Sequence, residues 1–177
     1  VLQEYLHPSL FEKTSSYARP NRKFIHRGLY LPGHVRPLES LHAIIAIDAS
    51  ISVSLEEYRT FLGTLREILE NYYEHTLQVL PFDTKVREEQ VLYLTPFDSL
   101  SDSQLQIPKT QGGTNFDSVI EYLESQELST ETSLLIVLTD GCFEIRQNNP
   151  MEKLFLVTDR NHLERFEPFG KTVEFRV

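Results

Sequence analysis

The chain has one cysteine, Cys142, in 177 residues, which excludes an internal disulfide and fits a reducing compartment. No run approaches the ~20 apolar residues of a membrane-spanning helix. The start lacks a basic segment followed by an apolar one, so no secretory signal is expected, and a cytoplasmic location follows. The chain begins with Val1 where a complete product would begin with Met, so a longer parent protein is expected. Repeats and low-complexity tracts are missing. The six histidines (His7, His26, His34, His42, His75, His162) have no ligand spacing, so a structural role is expected for each. A strong basic face is also missing from the main body. Residues 1–40 carry Lys13, Arg19, Arg22, Lys23, Arg27 and Arg36 against Glu4, Glu12 and Glu39, while the rest holds 11 basic and 23 acidic side chains. That balance excludes a nucleic-acid interface on the body; the acidity reads first as solubility and only second as attraction of cations.

With 40% apolar residues the chain can bury a core as one domain. Residues 1–40 are punctuated by Pro8, Pro20, Pro32, Pro37, Gly28 and Gly33. They read as an irregular basic arm laid on the domain, with the end of a short helix at Leu2, Tyr5 and Leu6. The apolar residues Phe24, Ile25, Leu29, Tyr30 and Leu31 argue against full disorder.

Residues 41–177 read as an α/β domain. Leu41 to Ile47 is a nearly unbroken apolar run, as expected of a strand buried on both faces. Leu55, Tyr58, Phe61, Leu62, Leu65, Ile68, Leu69 and Tyr72 form one helical stripe, and Ser54 with Glu57 is a capping box at its start. Strands are expected at Leu77 to Phe82 and Val86 to Leu94, paired antiparallel across a short link. A loop follows, then a second helix from Phe116 to Leu123 capped by Thr114 or Asn115. Ser133 to Thr139, Lys153 to Thr158 and Thr172 to Val177 finish the strands, with a helical turn at Leu163 to Phe166. The alternation predicts a three-layer fold, a mostly parallel sheet with one antiparallel strand and helices on both faces, of Rossmann-like topology.

Three fragments lie at strand ends or helix starts of this plan. They are Asp48-Ala-Ser50-Ile-Ser52, Gly112-Gly-Thr114-Asn115 and Thr139-Asp140-Gly141. An open α/β sheet gathers such loops at the carboxyl ends of its strands. Their oxygens are hard ligands, suited to Mg²⁺, Mn²⁺ or Ca²⁺. Asp48, Ser50 and Ser52 alternate, so an extended loop aims them to one side. Gly112 and Gly113 allow close backbone approach, and Gly141 a tight turn. Neutral hydroxyls leave most of an ion's charge unquenched, so one position stays open for a Glu or Asp of another protein. Singly, each fragment reads better as a turn or a helix cap; together and in this order they read as one metal site.

The three fragments resemble the metal-ion-dependent adhesion site (MIDAS) of the von Willebrand factor A (VWA) fold. The resemblance implies Ser50, Ser52 and Thr114 as direct or near-direct ligands, Asp48 and Asp140 as ligands acting largely through water, Mg²⁺ as the usual ion, and a partner acid as the sixth ligand. The segment Arg19 to Gly33, Phe82-Asp83 and Pro168-Phe169-Gly170 are similar to a bacterial VWA-like family of uncharacterised proteins, over about residue 17 to the end. In that family a metallopeptidase-like half with an HExxH helix usually precedes the VWA part. This chain has no HExxH, so no protease chemistry carries over to it. The family also resembles the VWA partners of MoxR-type AAA+ ATPases, which implies a role in remodelling complexes. Position 51 departs from the motif, with Ile where Gly is usual, so a stiffer loop is expected.

The expected function is therefore a non-enzymatic, divalent-metal-dependent module that grips an acidic side chain of a partner. The alternatives are a metal-dependent phosphoryl-transfer enzyme with Asp48 as nucleophile, and a scaffold with a vestigial site. Phosphoryl transfer wants a nearby cation, and Lys109 and Arg146 are the closest in sequence. Cys142 is expected to be buried or incidental, Asp83 a turn residue, and Asp117 and Glu144 solvated.

Overall fold

A computed structural model of the chain describes residues 14–20, 32–35, 40–71, 74–95, 112–128 and 134–175. The expected short helix at Leu2 to Leu6, the apolar arm residues Phe24 to Leu31, Lys109 and most of the loop before Gly112 lie outside them.

The stretch read as an irregular arm contains two strands, β1 (Thr14–Pro20) and β2 (Pro32–Val35), paired antiparallel as a separate two-stranded sheet. Its prolines are confined to strand ends, where a missing N–H does no harm to a ladder.

The main sheet has six strands: β3 (Ser40–Asp48), β4 (Glu74–Phe82), β5 (Leu92–Leu94), β6 (Leu134–Thr139), β7 (Glu152–Val157) and β8 (Lys171–Glu174). The order is β5-β4-β3-β6-β7-β8, and only β5 runs antiparallel to its neighbour. This is the expected mostly parallel α/β sheet. From β3 the chain moves outward to β4 and β5, then returns to lay β6 on the other side of β3. The junction of β3 and β6 is thus the topological switch point.

Both central strands are buried on both faces, which is why their sequences are continuous rather than alternating. Ile45, Ile47, Ile136 and Leu138 face one apolar cluster, covered by α1 (Leu55–Asn71) through Tyr58, Phe61 and Leu65. Ile44, Ala46, Leu135 and Val137 face the other, covered by α2 (Asp117–Ser125) through Val119, Ile120 and Leu123, and by Phe166 of the single-turn α3 (Leu163–Phe166). Leu55 breaks the expected stripe. It is 56% exposed, while Tyr58, three residues on, is the first of the stripe to be buried.

The capping box forms as read. The Ser54 backbone N–H donates to Glu57 Oε2 at 2.7 Å, and the Glu57 N–H donates to Ser54 Oγ at 3.1 Å. Glu57 does more than cap: its Oε1 accepts from Thr158 Oγ1 at 2.5 Å, tying the start of α1 to the end of β7. Glu57→Ala is expected to lower stability by about 2 kcal/mol, one for the cap and one for the lost tie. Urea unfolding with an unchanged m-value checks it.

Three local expectations need correction. The strand placed over Val86 to Leu94 is cut to β5 by a 3₁₀ turn at Glu88–Gln90, because Arg87 turns back to bind Asp83. The second helix has Phe116 at its N-cap position and no side-chain cap, so neither Thr114 nor Asn115 caps it. Asp117 is buried rather than solvated: its Oδ1 accepts the Arg146 and Gln147 N–H groups, both at 3.0 Å, and so pins the β6–β7 loop to α2.

Candidate metal centre

Asp48 is the last residue of β3, and Thr139 the last of β6, at equivalent depth in the parallel register. Thr139 Oγ1 donates to Asp48 Oδ2 at 2.7 Å, across the switch point. The same oxygen of Thr139 accepts the Gly141 N–H at 3.0 Å, which turns the chain just past Asp140. Gly141 sits at φ +87°, and Asp140 Oδ1 accepts the Cys142 N–H at 2.9 Å. Asp140 is thereby fixed near Asp48, close enough for its charge to raise the cost of ionising the Asp48 carboxyl.

The first loop is bent, where an extended form was expected. Asp48 Oδ1 accepts the Ser50 N–H at 3.0 Å, closing a turn over Ala49, and bends continue to Val53. The bend still achieves the expected grouping: Ser50 Oγ and Ser52 Oγ lie 3.0 Å apart. Ile51 N–H donates to Gly112 O at 3.1 Å, and Asn115 N–H to Asp83 O at 2.7 Å. The first bond ties Gly112 to the serine loop and the second ties Asn115 to the loop after β4, with Thr114 between them. The loops that carry the five expected residues therefore lie at the carboxyl edge of the sheet, tied to one another through backbone bonds.

Burial grades across the cluster. Asp48 and Ser50 are wholly buried, Asp140 nearly so, Thr114 half-buried and Ser52 exposed. Burial pushes the Asp48 carboxyl up to about 6, against the lowering effect of its bonds from Ser50 and Thr139, and the Asp140 charge adds to the rise. Cys142 is exposed rather than buried. Partial burial and the carboxylates of Asp140, Asp159 and Asp48 push its thiol up to about 11, so it is a poor nucleophile at neutral pH. Two positive groups are committed elsewhere. Arg87 donates to Asp83 Oδ2 from Nε at 3.2 Å and Nη2 at 3.0 Å, and Lys153 Nζ donates to the Asn149 and Met151 carbonyls at the opposite end of β7.

The donor set suits a hard divalent ion. Two acids lie deep, no cation among the described residues acts on the Asp48 carboxyl, and the buried Ser50 hydroxyl is paired with that of the exposed Ser52. Among the described residues no group of three or more His, Cys, Asp or Glu side chains is placed to hold a metal, so a zinc-type or all-carboxylate cage is not what these loops build.

Several contributors escaped the sequence reading. Thr139 reads in the sequence only as part of a fragment, yet its hydroxyl bonds Asp48 and holds the Gly141 N–H next to Asp140. Asp83 is more than a turn residue: buried, it takes bonds from Thr84, Lys85 N–H and Arg87, and its carbonyl holds Asn115. The aromatic floor was also missed. Phe82, Phe116 and Phe143 each lie within three residues of Asp83, Thr114 or Asp140, and pack together, with Phe116 stacked on Phe143 at 5.4 Å and Phe82 edge-on to both. Each loop thus drops a ring into one cluster, continued by Phe166 and Phe155. Their spacing from the motif residues was the available signal. The glycine pair was over-read. A Cβ on Gly113 would meet nothing within 4 Å, and one on Gly112 only ordinary contacts.

The VWA-like domain (DUF2201) family matches residues 43–176. The chain belongs to that family. VWA-like domains generally mediate protein interactions and are generally non-enzymatic. No curated protein matches this VWA-like domain. Among solved structures, it is similar to an aerotolerance-related membrane protein from Bacteroides fragilis at 14% identity and TM-score 0.46, covering 66% of this chain and 67% of that one. It is also similar to BatB from Bacteroides thetaiotaomicron at 15% identity and TM-score 0.45, covering 66% of each. In the VWA-like domain itself, no helix among the described residues is long and apolar enough to cross a membrane.

Proposed function

We propose that this VWA-like domain is a MIDAS-type module, holding Mg²⁺ (or Mn²⁺ or Ca²⁺) to grip a Glu or Asp of a partner protein. The observation that carries the reading is Asp48, buried near Asp140 and bonded by Ser50, whose hydroxyl pairs with that of the exposed Ser52. Ser50, Ser52 and Thr114 would hold the ion, and Asp48 and Asp140 would hold it largely through water. The ion would supply an electrophilic position facing solvent. This chain's own residues orient that position: Thr139 fixes Asp48, Gly141 fixes Asp140, and Phe116 and Phe143 anchor two of the loops from below. The parent protein is proposed to carry a metallopeptidase-like half upstream and to work with a MoxR-type AAA+ ATPase in the cytoplasm. Phosphoryl transfer is disfavoured by the commitment of Arg87 to Asp83, away from any substrate.

The test uses the full-length protein as bait. With Mg²⁺ present, one partner set is expected to be retained, and to be lost both in EDTA and with Ser52→Ala. Retention of the same set in EDTA, or by the variant, overturns metal-dependent gripping.

A further inference from the structure

Three large apolar side chains are exposed among the described residues: Ile51 at 62%, Leu55 at 56% and Tyr93 at 66%. Tyr93 accepts a hydrogen bond from Gln78 Nε2 and lies on β5 at the far edge of the sheet. The other two flank the candidate centre. Ile51 separates Ser50 from Ser52, and Leu55 opens the helix that the same loop leads into.

Ile51 is not loose. Its N–H is bound to Gly112 O, and the serines on either side have their hydroxyls 3.0 Å apart. With consecutive Cα atoms about 3.8 Å apart, its side chain stands within one side chain's length of any ion held by those hydroxyls. A carboxylate reaching that ion must bring its own chain neighbours over Ile51. A polar or glycine residue would serve a metal loop as well and would not leave an aliphatic chain in water. The charge of the rim sets the rest. Glu56 follows Leu55, Asp140 is nearly buried beside Asp48, and Glu144 is exposed four residues further on. Such surroundings repel a second acid next to the first.

We infer that Ile51 and Leu55 form an apolar lip that selects a partner segment in which a single Glu or Asp is directly flanked by an aliphatic or aromatic side chain, and not an acidic tract. This rests on the metal-dependent reading above and adds the identity of the acid's neighbours. Covering about half of the exposed Ile51 side chain should be worth about fivefold in affinity.

The test is selection of a displayed random-peptide library on the full-length protein in Mg²⁺, in EDTA, and on the Ile51→Ser and Leu55→Ser variants. Mg²⁺-dependent stabilisation of each variant confirms that it is folded and still binds the ion. The expected result is Mg²⁺-dependent enrichment of one acid with an apolar neighbour, and loss of the neighbour preference, but not of the acid, on Ile51→Ser. An invariant acid with no neighbour preference, or a preference unchanged on both variants, overturns the lip and leaves the metal reading standing. Absence of any Mg²⁺-dependent selection of an acid overturns both.

Discussion

Gly141→Ala is expected to lower the unfolding free energy by about 3 kcal/mol, whereas Gly113→Ala should change it by less than about 0.5 kcal/mol. Both glycines lie in the candidate loops, but only one is required by the fold. Gly141 has φ +87°, a conformation that costs a residue with a Cβ about 1 kcal/mol or more. A Cβ there would also stand 2.7 Å from His162 Cβ and 3.0 Å from Val157 Cγ1, so β7 and the turn after it would have to shift. The Gly141 N–H also positions Thr139, whose hydroxyl bonds Asp48, so the same variant should weaken divalent-ion binding. Denaturant midpoints of the two variants, measured side by side, check the contrast. Equal midpoints would refute the assignment.

The second large effect belongs to Asp48. Its folded carboxyl is raised from 3.8 to about 6, so the folded state binds this proton more tightly than the unfolded chain does. The contribution is fully present below about pH 4 and is lost as pH rises to about 6, a swing of roughly 3 kcal/mol. General acid denaturation would mask it in one protein, so the comparison is between ion-free wild type and Asp48→Asn. The wild type is expected to gain roughly 3 kcal/mol relative to the variant as pH falls from about 7 to about 4. A difference independent of pH would show that the buried carboxylate is not strained. With an ion in place the sign of the advantage reverses, since the metal requires the ionised form and stabilises the protein that binds it.

Much of this was legible in the residues. Continuous apolar runs marked β3 and β6, the stripe with its Ser54–Glu57 box marked α1, and the short link after Phe82 marked the antiparallel edge strand. The strand order was not legible. Nothing local in Leu41 to Ile47 or Leu134 to Thr139 states that these two strands are neighbours, and that adjacency is what sets Thr139 against Asp48. Thr114 was misread as one option for a helix cap because a threonine before an amphipathic run satisfies the local rule. The structure puts Phe116 at the N-cap position of α2 with no side-chain cap, its ring packed in the aromatic floor. Asp117 misled for a similar reason. An acid in a first helical turn is ordinarily solvated, and only the long β6–β7 connection, folding back over α2, gives it two backbone N–H groups to bind. Leu55 fits the stripe by period yet is exposed, and burial begins only at Tyr58.

The most direct measurement is calorimetric titration of MgCl₂ into chelator-treated protein near pH 7. The account predicts saturable binding of about one ion per chain that is absent in Asp48→Asn and weakened in Thr114→Ala. No saturable binding up to roughly 10 mM, or binding unchanged by Asp48→Asn, would contradict it.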